Sequence, residues 1–188
     1  ELVEELADNV ELPIQVTIAS GFPKGDKLEF ITQKVTELGA SQIWAFPADW
    51  SVAKWDGKKL GKKVEKLEKI ALGAAEQSKR NVVPSIQLFE NKADFLAQLD
   101  QFDSIIVAYE ESAKEGEAAA LLQAVSGLEK GAKLLFIFGP EGGLSPAEIE
   151  SFEAKGAVLA GLGPRILRAE TAPLYALSAL SVLLELEK

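Results

Sequence analysis

Short, almost wholly apolar runs alternate with amphipathic helical stretches along this chain, and no other feature constrains its fold as tightly. PIQVTIA (13–19), SQIWAFP (41–47), residues 85–89, SIIVAY (104–109), KLLFIF (133–138) and residues 157–161 read as strands. Helical spacing fills the intervals: from Asp26 to a stop at Gly39, then 58–79, 91–100, 115–127, 146–155 and 173–186. A strand that is apolar on both faces needs cover on both, and a helix after each strand supplies it. The expectation is an α/β protein with a mostly parallel sheet flanked by helices. Local punctuation agrees. Asp26 with Glu29, and Ser145 with Glu148, have capping-box spacing, and Pro146 takes the first helical position.

At 188 residues and 47% hydrophobic composition, the chain suits one compact domain with its own core, assigned to 13–188. The acidic opening ELVEELADNVEL (1–12) reads as a linker or the remnant of a preceding domain. Residue 1 is not Met, so a fragment, a processed chain or an engineered one is expected. Cys, His and Met are absent altogether. Without Cys there is no disulfide framework and no thiolate nucleophile or metal ligand. Without His there is no Ser-His or Cys-His pair, no His-ligated metal and no imidazole base. No metal site is expected, and no apolar run approaches the length of a membrane span.

The net charge is −9 and unevenly spread. Residues 21–80 carry twelve bases against eight acids, while 81–160 carry five against thirteen. Phosphate contacts dominate nucleic-acid affinity, so the overall balance argues against nucleic acid. One segment departs from it, with Lys54, Lys58, Lys59, Lys62, Lys63, Lys66 and Lys69. That row is either a solvated helix face with pairs such as Glu65–Lys69, or a basic footprint.

Two glycine-rich stretches follow strands, where ligands of parallel α/β sheets bind. In the first, three glycines, a proline and a glutamate occupy 139–143, more than a plain strand-to-helix turn requires. It lacks the GxxxxGK[ST] arrangement of a phosphate loop. Glu141 in its approach disfavours an anion, so a cationic or zwitterionic ligand fits better. In the second, Gly161, Leu162, Gly163 and Pro164 precede Arg165, Arg168, Glu170 and Thr171. GLGPRI resembles the start of a dinucleotide fingerprint, but Ile166 stands where its third glycine belongs. The polar cluster is either a ligand site or a set of surface arginines pairing with Glu170.

The last helix is apolar around almost its whole circumference, through Leu174, Leu177, Leu180, Val182, Leu183, Leu184 and Leu186. Such a helix is either buried in the core or lies at a subunit interface. GAAEQSKRNVVP (73–84) places Lys79 and Arg80 at a helix C-terminus, as dipole capping or as part of a functional loop.

PKGDKLEFITQKVTELGA (23–40), GAAEQSKRNVVP (73–84), FGPEGGLSPAEI (138–149) and LGPRILRAETAPLYAL (162–177) occur in that order. Together they resemble the RsmE-type ribosomal RNA methyltransferases of the SPOUT class, which methylate N3 of a uridine in small-subunit (16S) ribosomal RNA. The resemblance runs from about residue 12 onward. It implies a six-stranded, mostly parallel sheet with a C-terminal trefoil knot, and S-adenosyl-L-methionine bound at that knot. Carried onto this chain, the implied cofactor residues are Phe138, Gly139, Glu141, Gly142, Gly143, Leu162, Gly163, Ile166, Leu167, Arg168 and Thr171. Arg168 and Glu170 are the implied catalytic pair. Glu170 or water would accept the N3 proton, and Arg168 would stabilise charge on the uracil oxygens. The family also implies a cytoplasmic homodimer joined through the C-terminal helix, acting on ribosomal RNA or the small-subunit particle, without membrane attachment.

The chain departs from the family pattern in lacking the N-terminal PUA-like barrel that helps grip RNA, which would weaken substrate binding. An acidic balance and the missing His, Met and Cys are further departures. Two alternatives therefore stand beside the enzyme. One is an engineered or truncated knotted dimer that folds, and binds cofactor, without turnover. The other is an unrelated nucleotide-binding α/β module.

Overall fold

The computed structural model describes residues 9–109 and 118–186. Six strands form one wholly parallel sheet: β1 (Gln15–Gly21), β2 (Gln42–Phe46), β3 (Ser85–Leu88), β4 (Ser104–Ala108), β5 (Lys133–Phe138) and β6 (Val158–Ala160). Their spatial order is β3-β2-β1-β5-β4-β6. β5 thus enters between β1 and β4, pairing Ile18 with Phe136 on one side and Ile106 with Phe136 on the other. Among the described residues six helices cover the sheet: α1 (Lys27–Glu37), α2 (Gly57–Gln77), α3 (Lys92–Ala97), α4 (Ala118–Ser126), α5 (Pro146–Glu153) and α6 (Thr171–Ser181).

Both faces of the central strands are buried, as their unbroken apolar runs predict. Leu134, Phe136 and Phe138 of β5 point to one face, with Ile31, Val35, Leu121, Val125, Ala176, Leu177 and Leu180 from α1, α4 and α6. Leu135 and Ile137 point to the other, into an aromatic layer completed by α3 and α5. There the Phe95 ring stacks on Phe46 at 4.2 Å and meets Phe89 and Phe152 edge-on. Truncating the wholly buried Phe95 would cost about 3–5 kcal/mol, the usual cavity cost of a lost core aromatic. A smaller cluster seats α2 through Leu60 and Leu67 against Phe22, Leu28 and Ala45.

Element boundaries shift from expectation for local reasons. Asp26 stands at the N-cap of α1 but its side chain accepts no capping hydrogen bond. Its expected partner Glu29 turns instead to Lys66 on α2, 2.7 Å away. Among the described residues, the expected Glu65–Lys69 pair does not form. Asp56, which the sequence reading passed over, caps α2 by accepting from the Lys59 N–H. The stretch 91–100 divides into α3 and a 3-10 turn at Leu99–Gln101. The start of the helix expected at 115–127 lies outside the described residues. The last helix starts two residues earlier than expected, at Thr171, and its end loosens into a π turn at Val182–Leu186.

Arg80 is neither a helix cap nor part of an open loop. Its guanidinium, 3% exposed, pairs with Glu11 and donates to the carbonyls of Thr36 (3.0 Å) and Ala40 (2.7 Å). It staples the segment before β1 to the turn between α1 and β2. Of the final helix, Pro173, Ala176, Leu177 and Leu180 are buried, while Tyr175, Val182 and Leu186 are exposed. No helix among the described residues is long and apolar enough to cross a membrane.

Candidate functional site

β5 delivers the chain to the carboxyl edge of the sheet at Phe138, whose ring stacks on Phe136 at 4.8 Å. Glycine is required in the loop that follows. A Cβ on Gly139 would stand 2.9 Å from the Gly143 backbone, and Gly143 itself has φ +80°. A Cβ on Gly142 would meet the Trp50 carbonyl oxygen at 3.1 Å. The loop closes at Ser145, which caps α5 in a full capping box with Glu148, as its spacing predicts.

Glu148 is more than a cap. It is 1% exposed and its carboxylate also accepts from the Asp49 N–H at 2.9 Å and pairs with Lys92 at 2.8 Å. Lys92 pairs with Asp49 too, and the Ser145 hydroxyl donates to the same aspartate. These contacts tie the residues after β2 and the start of α3 to the glycine loop. Lys92 and Ser145 together hold the Asp49 carboxyl below its ordinary range.

The second glycine stretch leaves β6 and turns at Gly163, with φ +88°. The Arg168 carbonyl then accepts from the N–H groups of Thr171 (2.9 Å) and Ala172 (3.0 Å), starting α6. The two loops face each other across an open cavity of about 630 Å³ beyond the ends of β4, β5 and β6. Phe138, Gly139, Glu141, Gly142, Gly143, Leu162, Gly163, Ile166, Leu167 and Arg168 all line it. Thr171 and Glu170 stand outside that lining. Thr171 opens α6, and Glu170 precedes it.

The sequence reading missed Lys27, Trp50 and Tyr109, which also line the cavity together with Arg165 of the polar cluster. Lys27 lies within PKGDKLEFITQKVTELGA (23–40), and only the placement of the start of α1 at the sheet edge reveals its role. Its ammonium stands 3.0 Å from Glu141 and 3.5 Å from Glu170, bridging the two loops. The Glu141 carboxylate also accepts from the Lys24 N–H at 2.9 Å. Burial alone would raise the Glu141 pKa, but the Lys24 N–H and Lys27 outweigh it and hold the group below the ordinary carboxylate range. The hydrogen bond to Glu141, with the field of both carboxylates, raises Lys27 above its ordinary value. Glu141 therefore does not present the free negative charge that its position in the sequence implies. Glu170 differs, since its Oε2 is buried and accepts no hydrogen bond.

This cavity has the size that small-molecule sites use, about 300–1,000 Å³. It combines backbone exposed by glycines with an apolar wall of Phe138, Leu162 and Leu167, and Glu170 follows directly on its lining residue Ala169. Those are the features that hold a mostly apolar, positively charged small molecule. Among the described residues no acidic group of three or more is arranged around a metal position.

Comparison with known proteins gives a consistent family. A model described as an RNA methyltransferase domain matches residues 10–181. The ribosomal RNA small subunit methyltransferase E of Bacillus subtilis is 55% identical over 98% of this chain, which spans 72% of that protein. A solved ribosomal RNA small subunit methyltransferase E from Neisseria gonorrhoeae, bound to S-adenosyl methionine, superimposes with a TM-score of 0.73. It is 27% identical, over 94% of this chain and 70% of its own. A putative methyltransferase from Legionella pneumophila, in complex with the cofactor SAM, gives a TM-score of 0.76. Its identity is 29%, over 93% of this chain and 69% of its own.

Proposed function

This chain belongs to the RNA methyltransferase domain family, and from that premise we propose that it transfers a methyl group from S-adenosyl-L-methionine to N3 of a uridine in small-subunit ribosomal RNA. The observation that carries the reading is the cavity between the two glycine loops, walled by Phe138 and Leu162 and lined by Glu141, with Glu170 directly after the lining residue Ala169. Residues 139–143 and 162–168 would hold the cofactor, glycine backbone on one side and Leu162, Ile166 and Leu167 on the other. When bound, the cofactor supplies a methyl group made electrophilic by its sulfonium.

The protein's share is positioning and proton handling. N3 of uracil carries a proton that must leave as the new bond forms. Glu170, whose buried Oε2 accepts no hydrogen bond and stands 3.5 Å from the Lys27 ammonium, is the proposed acceptor. Arg168, exposed on the cavity wall, would stabilise negative charge on the uracil oxygens. Thr171 would act indirectly, by fixing the start of α6. The insertion of β5 between β1 and β4, with α6 returning to pack beside α1, supports a knotted path of the last segment. Exposed Tyr175, Val182 and Leu186 support a homodimer through the C-terminal helix. We assign residues 13–188 to the catalytic domain and 1–12 to a linker, and the substrate implies a cytoplasmic setting.

Calorimetric titration with S-adenosyl-L-methionine, using ATP and NAD as controls, tests this directly. Selective binding is expected, weakened at least about tenfold by Gly142→Val, whose side chain must enter the space held by Trp50. A folded chain that ignores the cofactor would overturn the reading.

A further inference from the structure

The lysine row on α2 breaks three local rules at once. Lys58 and Lys59 crowd the first turn of the helix, which holds no acidic residue, against the helix dipole. Lys58–Lys62, Lys59–Lys63 and Lys62–Lys66 place like charges four residues apart, each mildly destabilising. At 3.6 residues per turn, the six lysines from Lys58 to Lys69 fall within an arc of roughly 140°, with Glu65 and Glu68 outside it. A face built only for solvation mixes signs. This one separates them, and among the described residues only Lys66 of the row has an ion-pair partner, Glu29.

The row's position supplies the reason. Phe22, directly after β1, packs its ring on Trp55 at 4.3 Å, just before α2 begins. The neighbouring Gly21 lies against Pro140 of the glycine loop, where a Cβ would come within 2.5 Å of the proline ring. The first turn of α2 is thereby fixed at the cavity's edge of the sheet. Between cavity and helix the chain turns at Trp50, which lines the cavity and is 50% exposed, and continues through Val52, 68% exposed. Lys63 lies 4.1 Å above the Trp55 ring, adding positive charge to that aromatic surface.

We infer that the lysine face of α2, together with Trp50, is the docking surface for the RNA strand whose base enters the cavity. This rests on the methyltransferase reading and says where its substrate lies. Lysines track phosphates, and a half-exposed indole at the cavity lip offers a stacking platform for a base. The row is ~16 Å long from Lys58 to Lys69, about two Debye lengths at physiological salt, so the acidic remainder of the chain does not cancel its local field.

The test is fluorescence anisotropy with a fluorescein-labelled hairpin of small-subunit ribosomal RNA, titrated at several salt concentrations. In the full chain, Lys58→Ala/Lys59→Ala/Lys62→Ala is expected to bind at least about tenfold more weakly, and its log–log salt slope to fall by roughly one per contact removed. Lys130→Ala/Lys133→Ala, at the opposite edge of the sheet, should match the unaltered chain. Calorimetry with S-adenosyl-L-methionine should return the same affinity for all three proteins, showing an intact fold. Unchanged affinity and slope in the triple variant would overturn the inference, as would equal loss in the control pair or no RNA binding by the unaltered chain. Lysine-dependent binding to phosphatidylserine vesicles without binding to RNA would also overturn it, in favour of a lipid surface. Failure of the methyltransferase reading shows separately, as absent cofactor binding in the calorimetry.

Discussion

Lys92 and Lys27 each bridge two carboxylates at the same edge of the sheet, yet one cluster is complete and the other is not. Around Lys92, Glu148 is 1% exposed and every contact is made: Lys92, the Asp49 N–H and the Ser145 N–H all donate to it. Around Lys27, Glu141 and Glu170 are 22% and 23% exposed, and the buried Glu170 Oε2 still accepts no hydrogen bond. A saturated buried cluster fixes geometry and has nothing left for a ligand. An unsaturated one beside a cavity keeps an acceptor in reserve. The first cluster holds the glycine loop in place, and the second borders the space that the loop encloses.

The largest way to sharpen that contrast is Glu170→Gln. It keeps the shape and removes the basic oxygen, so methyl transfer should fall about 10²–10⁴-fold while cofactor affinity and melting temperature barely move. A variant that turns over normally would remove Glu170 from the chemistry and leave water as acceptor. Next is Lys92→Met, which strands Glu148 without its cation. Full burial would cost about 3–5 kcal/mol, and the partial exposure of Lys92 reduces this to about 2–3 kcal/mol by denaturant titration. Cofactor affinity of the folded fraction should persist. If the stability loss is instead negligible, the first cluster does not hold the glycine loop in place.

The smallest effect concerns protonation. Asp49 and Glu141 both have lowered pKa values, so the stability they contribute is present above the ordinary carboxylate range of about 4 and is lost as pH falls through their lowered values. Lys27 is raised, so its contribution holds below the ordinary lysine value of about 10.4 and is lost only as pH rises through the raised one. Carboxyl NMR titration of Lys27→Met should show Glu141 moving upward and Asp49 unmoved. Movement of both would mean that the two clusters are coupled rather than separate.

Much of this was legible in the sequence because the signals are local. Capping at Ser145 with Glu148, the stops at glycines and the doubly apolar strands each depend on a few neighbouring residues, and all appear as read. The cavity lining on residues 138–143 and 162–168 was legible for the same reason: glycine loops after strands of a parallel sheet open at its ligand-binding edge. Glu29 misled, because a capping partner competes with any cation the fold brings close, and α2 brought Lys66. Arg80 looked like a cap because its partners Glu11, Thr36 and Ala40 lie about 40 to 70 residues away.

By itself, then, the amino-acid sequence determined the element types, the two-sided burial of the sheet and the loops fit to hold a ligand, since hydrophobic period, turn chemistry and capping act over a few residues. Only the tertiary structure decided that Lys27 neutralises Glu141, that Glu170 buries an oxygen beside Lys27 without a hydrogen bond, that Glu148 is a buried anchor and that the lysines of α2 stand beside the cavity. Those facts depend on distances between residues far apart in the chain, which parallel strand order and helix packing fix and local pattern does not contain.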